Sequence, residues 1–416
     1  MKSGKIIENW IQILIYKELC EILNNKMKTT ILFITLIFLP SSGFSKVLDS
    51  ATNALRPGDR LTEQRIVFQD LGRSGENVLW NLGDVEVVDG RYKLRYAAVN
   101  DSLHDWIAGT EHRTMYYYDQ SAGDGIRIAG LENHTTLIHY DTQEMWLPLP
   151  MQPGDSVSGI FAGRGSYCGK VFQHAFGRYT TKADATGILI LPDGERLTDV
   201  LRIRTDRYSM TRETEADTLL LRYGIDSMAA MTAETALFLL QQAETDSMSP
   251  IMHTEILRWY APGYRYPVLT TYQMEMRSAE TDSIAPQPYT TAFYCPPSVQ
   301  EVMLEDDPNN EAVRQVLTEA NTQTGDPTTD NAGLTYNAVY NAATRTLHVD
   351  YSIERDATLS LTFYSLMGEQ VYHEQPHTVT AGTYSLDIHV GPHSPGFYVL
   401  TITVNDIPTG ETIAIQ

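Results

Sequence analysis

Residue types that perform chemistry are present in this chain, yet few stand at a spacing that commits them to a reaction. His104, His112, His134, His139 and His174 are scattered, and no His-Glu-x-x-His sets two imidazoles on one helix face for a metal. His112 and His134 fall near turns, and a lone imidazole is ordinarily a solvated or core residue rather than a ligand. No Gly-rich loop has the spacing that cradles a phosphate, and no Gly-x-Ser-x-Gly elbow presents a nucleophile. Residues 163–169 are Gly-rich at the wrong spacing for a nucleotide and read as a bend or bulge between strands. Residues 119–125 begin like a calcium loop, but Gly123 takes the third ligand's place and the distal Glu is missing. Carboxylate pairs that hydrolyse glycosidic bonds meet only in three dimensions, so a secreted hydrolase with an unidentified carboxylate site stays open. No catalytic, cofactor-binding or metal-ligating residue is assigned, and no cofactor is expected.

Three further groupings bear on binding or modification. Trp259, Tyr260, Tyr264 and Tyr266 surround Pro262 and Gly263, either as an aromatic platform for a sugar or as the packed corner of a hairpin. Cys168 and Cys295 are the cysteines beyond residue 45. In an oxidising compartment they could pair and close a long loop, worth about 2–4 kcal/mol where geometry allows; in β-like runs a free Cys is more commonly a small buried hydrophobe. Asp followed by Ser or Thr and a small or apolar residue recurs at Ser50, Ser102, Ser156, Thr218, Ser227, Ser247 and Ser283, more often than composition gives. Such pairs start turns and caps. The triplet also resembles the acceptor of the general O-glycosylation system that Bacteroidota use on exported proteins.

The elements that must position these groups are strands. Between residues 55 and 297 the alternation predicts strands at 65–71, 92–99, 113–118, 126–131, 136–141 and 156–161. It predicts further ones at 187–191, 199–205, 256–260, 266–276 and 289–294. Asp-Gly and Pro-Gly pairs punctuate them, and 24 tyrosines suit half-buried pleated surfaces. Residues 232–243 interrupt the pattern as a helix capped by Thr232, in an insertion folded back on its own sheet. A linker spans 299–333, with a short helix at 311–320 capped by Asn310 and no periodicity at 322–330. From 334 to 416 alternation returns: Leu347, Val349, Tyr351 and Ile353; Leu359, Leu361 and Phe363; Tyr384, Leu386, Ile388 and Val390; Tyr398, Leu400, Ile402 and Val404. The expected fold is all-β, a large antiparallel β-domain at 46–298 followed by a small Ig-like C-terminal β-sandwich, with one or two short helices in insertion and linker.

Charge and the first residues bound the setting. A formal charge of −21 makes nucleic acid an unsuitable partner, because phosphate binding requires a basic surface. Residues 27–45 run from a basic start through an apolar stretch to small residues, the order of a secretory signal peptide. Residues 1–26 precede that complete signal and read as a mis-assigned or extended N-terminus, with Met27 the initiator. No Cys stands at 43–46 to take a lipid.

Two resemblances add to this reading. Residues 366–372, 382–388 and 394–402, with Gly368 and Gly396 expected at turns, resemble the C-terminal sorting domain of the type IX secretion system of Bacteroidota. The tail at 411–416 lacks the basic residue with which members commonly end. Residues 188–204 and 257–269 resemble a β-rich region found upstream of such sorting domains, for which no activity carries over. The resemblance implies export to the periplasm, outer-membrane surface or extracellular space, with residues 334–416 engaging the secretion machinery. The expected function is a non-catalytic structural or interaction protein of the cell envelope with an unknown protein or glycan partner. A glycan-binding protein is the alternative.

Overall fold

The computed structural model describes residues 47–83, 85–99, 105–216, 218–245, 250–277, 288–303, 306–321, 332–366, 369–391 and 395–415. The segment 27–45 expected as a signal peptide, the preceding residues 1–26, the stretch 322–330, and the sequence candidates His104, Ser102, Ser247, Ser283 and Gly368 lie outside them.

In chain order the strands up to the linker begin with β1 (Arg60–Ile66), β2 (Gly75–Asn81), β3 (Val87–Ala98), β4 (Trp106–Glu111) and β5 (Thr114–Asp119). Next come β6 (Gly125–Glu132), β7 (Thr136–Pro148), β8 (Ser156–Tyr167), β9 (Val171–Ile190) and β10 (Arg196–Thr214). They end with β11 (Ile251–Tyr260), β12 (Leu269–Arg277) and β13 (Tyr289–Tyr294). All of these except β2 form one antiparallel series, from β10 through β11, β12, β13, β1 and β3 to β9, and β9 pairs with β10 again. Among the described residues, twelve strands therefore close a barrel, which removes the exposed sheet edges that invite aggregation.

The wall is uneven in height. β9 and β10 are 20 and 19 residues long, whereas β4 and β5 have six each and meet at a tight turn where His112 and Arg113 both take positive φ. One end of the barrel is stoppered. Leu48 and Leu55 flank the short helix α1 (Ser50–Asn53) and pack with Leu61, Tyr96, Leu149, Met151, Leu201 and Tyr266. Arg265 ties this stopper down by donating to the carbonyls of Ala51 and Ala54 while forming a buried bidentate pair with Asp307, both contacts 2.7 Å. Asn310 donates to the carbonyl of Thr52 and to Asp307, and the helix that holds it spans Pro308–Asn321. The expected cap is thus a floor tie instead, because the helix starts three residues earlier than the polar run predicts.

Among the described residues the four further helices are peripheral. With α1 already placed, they are α2 (Thr218–Tyr223), α3 (Ala233–Thr245), α4 (Pro297–Glu301) and α5 (Pro308–Asn321). Thr232 Oγ1 accepts from the Thr235 N–H at 3.2 Å at the start of α3, and Ala236 and Leu240 pack onto Ala162 and Phe176 outside β8 and β9. The insertion does fold back on its own sheet.

β2 was not expected, and it links the two parts of the fold. It runs parallel to the far end of β9, Val78 to Asn81 against Gly187 to Ile190, and its other edge meets Tyr336. Gly187 permits this: a Cβ there would lie 1.7 Å from the Val78 carbonyl oxygen. Trp80, Leu82 and Leu71 then cover the outward faces of Trp259, Leu269, Ala292 and Tyr294. Arg202 is buried in this layer, paired to Asp184 at 2.8 and 2.9 Å, donating to the carbonyls of Gly72 and Arg73, and lying near the Trp80 and Trp259 rings.

The C-terminal strands are β14 (Thr335–Asn341), β15 (Thr346–Ile353), β16 (Ala357–Ser365), β17 (Gln370–Val379), β18 (Gly382–His389), β19 (Gly396–Val404) and β20 (Ile407–Ile415). The β14-β15-β18 sheet continues from β2, and β17-β16-β19-β20 forms a separate sheet. Their core is their own: Leu347, Val349, Tyr351, Ile353, Leu359, Leu361, Phe363, Leu400, Ile402 and Val404 are buried together. This is the sandwich that the period-two pattern predicts, since one face of each strand must leave water. Gly396 opens β19 with no positive φ and no neighbour within contact of a Cβ, so no turn requires glycine there.

These contrasting glycines make the join testable. Gly187→Ala should lower stability by about 2–3 kcal/mol or abolish folding, through overpacking against β2, while Gly396→Ala should shift the urea midpoint negligibly. Equal midpoints for the two variants would contradict the close β2–β9 approach.

Candidate functional site

Inside the barrel the stopper fills the floor, and above it the wall encloses a cavity of about 380 Å³. Strand alternation supplies its lining. On β10 Thr205 and Arg207 face inward, on β11 Thr254, Ile256 and Arg258, on β12 Tyr272 and Met274, and on β13 Tyr289, Thr291 and Phe293. Gly109 on β4 leaves room for two of the inward rings, since a Cβ there would meet Tyr118 at 2.7 Å and Tyr96 at 2.9 Å. The outer wall is different in kind. It carries Arg204–Glu255 at 2.7 Å, Arg178–Glu244 at 2.6 Å and His253 between Asp206 and Glu275, both 3.1 Å. Such a surface suits water rather than acyl chains.

The polar groups of the lumen fall into three sets. Low in the cavity, Glu111 Oε1 accepts from Tyr118 Oη at 2.7 Å and Tyr96 Oη at 3.0 Å. Burial pushes the Glu111 carboxyl above its ordinary range, against the pull of those two donors and of nearby His112. At the low rim, His112 Nε2 lies 2.9 Å from Glu63 Oε2, and its ring stacks on Phe293 with centroids 3.8 Å apart. On the high side, Arg207 Nε donates to both Glu144 oxygens at 2.8 and 2.9 Å, with its guanidinium 4.3 Å from the Phe161 centroid. Burial also raises the phenols: Tyr116 to about 12, and Tyr140 and Tyr272 further in the same direction. They are neutral hydrogen-bonding aromatic walls at any physiological pH.

Arg258 stands apart from these sets. It is 4% exposed, its guanidinium lies 4.7 Å from the Trp146 centroid, and its Nη1 is buried with no hydrogen-bond partner. Among the described residues no carboxylate pairs with it. Cation–π contact with Trp146 compensates part of a buried charge, by about 2 kcal/mol when desolvated.

Few residues singled out by sequence meet here. His112 lines the cavity, but His134, His139 and His174 do not; His174 Nε2 contacts the Ala229 carbonyl outside the barrel at 2.9 Å. Trp259 is 0% exposed, packed edge-on against Trp80 beneath β2, and Tyr260, Tyr264 and Tyr266 are buried too. That foursome is a packed corner, not an open sugar platform. Cys168 is exposed at the β8–β9 turn and Cys295 is buried on the floor beside Gln300; both thiols are free, so the weighed disulfide is not made. Ser50, Ser156, Thr218 and Ser227 are exposed at helix or strand starts or at a 3₁₀ turn. Gly163 and Gly165 sit within β8 where its backbone passes close to β7, so they give close strand approach rather than a loop. The residues that sequence reasoning missed are Glu111, Glu144, Arg207 and Arg258. Their signal was weak: a charge in the same period-two set as apolar residues, as in Thr254, Ile256, Arg258 and Tyr260.

Among the described residues no group of three or more His, Cys, Asp or Glu is arranged to hold a metal ion. No protein-family model matches the chain, and no curated protein matches it either.

Glu111→Ala would leave two buried phenol hydroxyls without their acceptor, at a cost of about 2–4 kcal/mol. Glu111→Gln keeps an acceptor in place and removes the buried carboxylate, so it should cost under about 1 kcal/mol. Urea unfolding of both variants checks this; similar losses would mean the tyrosine pair does not depend on that oxygen.

Proposed function

We propose that the chain is an exported, non-catalytic interaction protein of the cell envelope whose barrel receives a small molecule. The observation that carries this is the lumen. It is stoppered at one end, low-walled at the other, and lined by aromatic rings around a few fixed polar groups, at a volume within the roughly 300–1,000 Å³ of small-molecule sites. The rival hydrolase reading requires two carboxylates free to act on one bond. Both Glu144 oxygens are taken by Arg207 and Glu111 Oε1 by two tyrosines, which favours holding over turnover.

Residues 334–416 serve export or anchoring in this reading, as their likeness to the type IX sorting domain implies. Their self-contained core supports a module with its own task. No helix among the described residues is long and apolar enough to cross a membrane. The exposure of Ser50, Ser156, Thr218 and Ser227 supports O-glycan attachment at the Asp-Ser/Thr triplets.

Two measurements test the parts separately. A neutral solvatochromic dye should bind the purified chain at one site, and Thr254→Trp, which fills the cavity, should abolish the signal while the far-UV circular dichroism stays unchanged. Dye binding that survives the substitution would refute the lumen site. Fractionation of the tagged protein with and without residues 334–416 should move it from the envelope or medium to the cell interior on truncation. Unchanged distribution would refute the export role, and in the same preparation an unmodified intact mass would refute the glycans.

A further inference from the structure

Resting on that reading of the lumen, we infer that its ligand is a small amphipathic monoanion, whose carboxylate or equivalent head seats on Arg258 while its apolar body lies among Trp146, Tyr272, Met274 and Phe293. The charges of the site divide unequally. Arg207 is committed to Glu144 and His112 to Glu63, so each of those cations already faces a carboxylate. Glu111 is turned to its tyrosines, and burial favours its neutral form. Arg258 remains as the one lumen guanidinium that, among the described residues, has no carboxylate, and its Nη1 has no acceptor.

A buried guanidinium without an anion is costly, several kcal/mol even after relaxation. Its planar fork matches a carboxylate in two parallel hydrogen bonds, which is the geometry that would lower that cost most. A single uncommitted cation selects a monoanion. A phosphate ester or a dianion would require a second, and Arg207 supplies none without abandoning Glu144. The surroundings select the body. Trp146 already lies against the guanidinium, and Tyr272, Met274 and Phe293 extend an apolar wall from the same cavity. The volume stands near the lower end of the range for ligand sites, enough for one or two fused rings or a short acyl chain. The chain's negative charge opposes anion approach at long range, but that field is screened within about 8 Å at physiological ionic strength. Selection is therefore local.

The experiment compares acids with their uncharged isosteres on the full chain, by titration calorimetry at pH 7. 2-Naphthoic acid is paired with 2-naphthalenemethanol for an aromatic body, and decanoic acid with decanol for an aliphatic one. At least one acid should bind ten-fold or more tighter than its alcohol, and whichever pair shows the gap identifies the body. Arg258→Met should erase the gap while leaving alcohol and neutral-dye binding within about three-fold, and Arg258→Lys should retain part of it. Equal binding of acid and alcohol by the unmodified chain overturns the inference, needs no variant to fold, and leaves the lumen reading intact. A gap that persists in Arg258→Met also overturns it. Absence of binding by acids, alcohols and the neutral dye together refutes the lumen reading itself.

Discussion

Arg202 and Asp184 form the ion pair on which this architecture turns. Both side chains are almost fully buried, and the guanidinium reaches the carbonyls of Gly72 and Arg73 as well. Those carbonyls lead into β2, so the pair fixes the approach of the strand that joins barrel to sandwich. Removing either partner would strand the other charge in a tryptophan-walled layer, a loss of about 3–5 kcal/mol. β9 must satisfy β8 and β10 along its first half and β2 and β10 along its second. The change of partner falls where the β9–β10 register shifts, beside Ala183 and Asp184. A local irregularity in one ladder thereby lets a closed barrel and an open sheet share a strand.

Two kinds of interior follow from this arrangement. The sandwich core is built of aliphatic and aromatic side chains and packs as a structural solid. The lumen is a mixed interior in which rings keep water away from a small set of charges. In that setting each paired charge is held rigidly, because low local dielectric strengthens the contacts that are made and penalises those that are not. Rigid pairs such as Arg207–Glu144 give the wall its shape, while an uncommitted charge gives it selectivity.

Legibility in the sequence tracked how one-sided each strand's burial is. The sandwich strands bury one face and expose the other, and Leu347, Val349, Tyr351 and Ile353 announce this by alternation. β2 was missed because Val78, Leu79 and Trp80 are all buried, so no period exists to detect. β4 was missed because two small residues, Ala108 and Gly109, blunt its alternation, and Gly109 is small to make room for Tyr96 and Tyr118. The site was harder still. On β11 the bulkier apolar set, Leu257 and Trp259, faces outward under β2, and the set bearing Arg258 faces inward. Which face is inside depends on ring closure between β1 and β13, strands from opposite ends of the barrel segment, a pairing that no local pattern encodes.

The unequal strand lengths set how the lumen communicates with solvent. A ring of hydrogen-bonded ladders does not part at a seam, so exchange by strand separation would carry the cost of breaking a sheet. The β4–β5 hairpin lowers the wall at one place, and the rim there carries side chains, His112 stacked on Phe293. A guest entering or leaving such a barrel would therefore cross a low sill of side chains, with every ladder of the wall left intact.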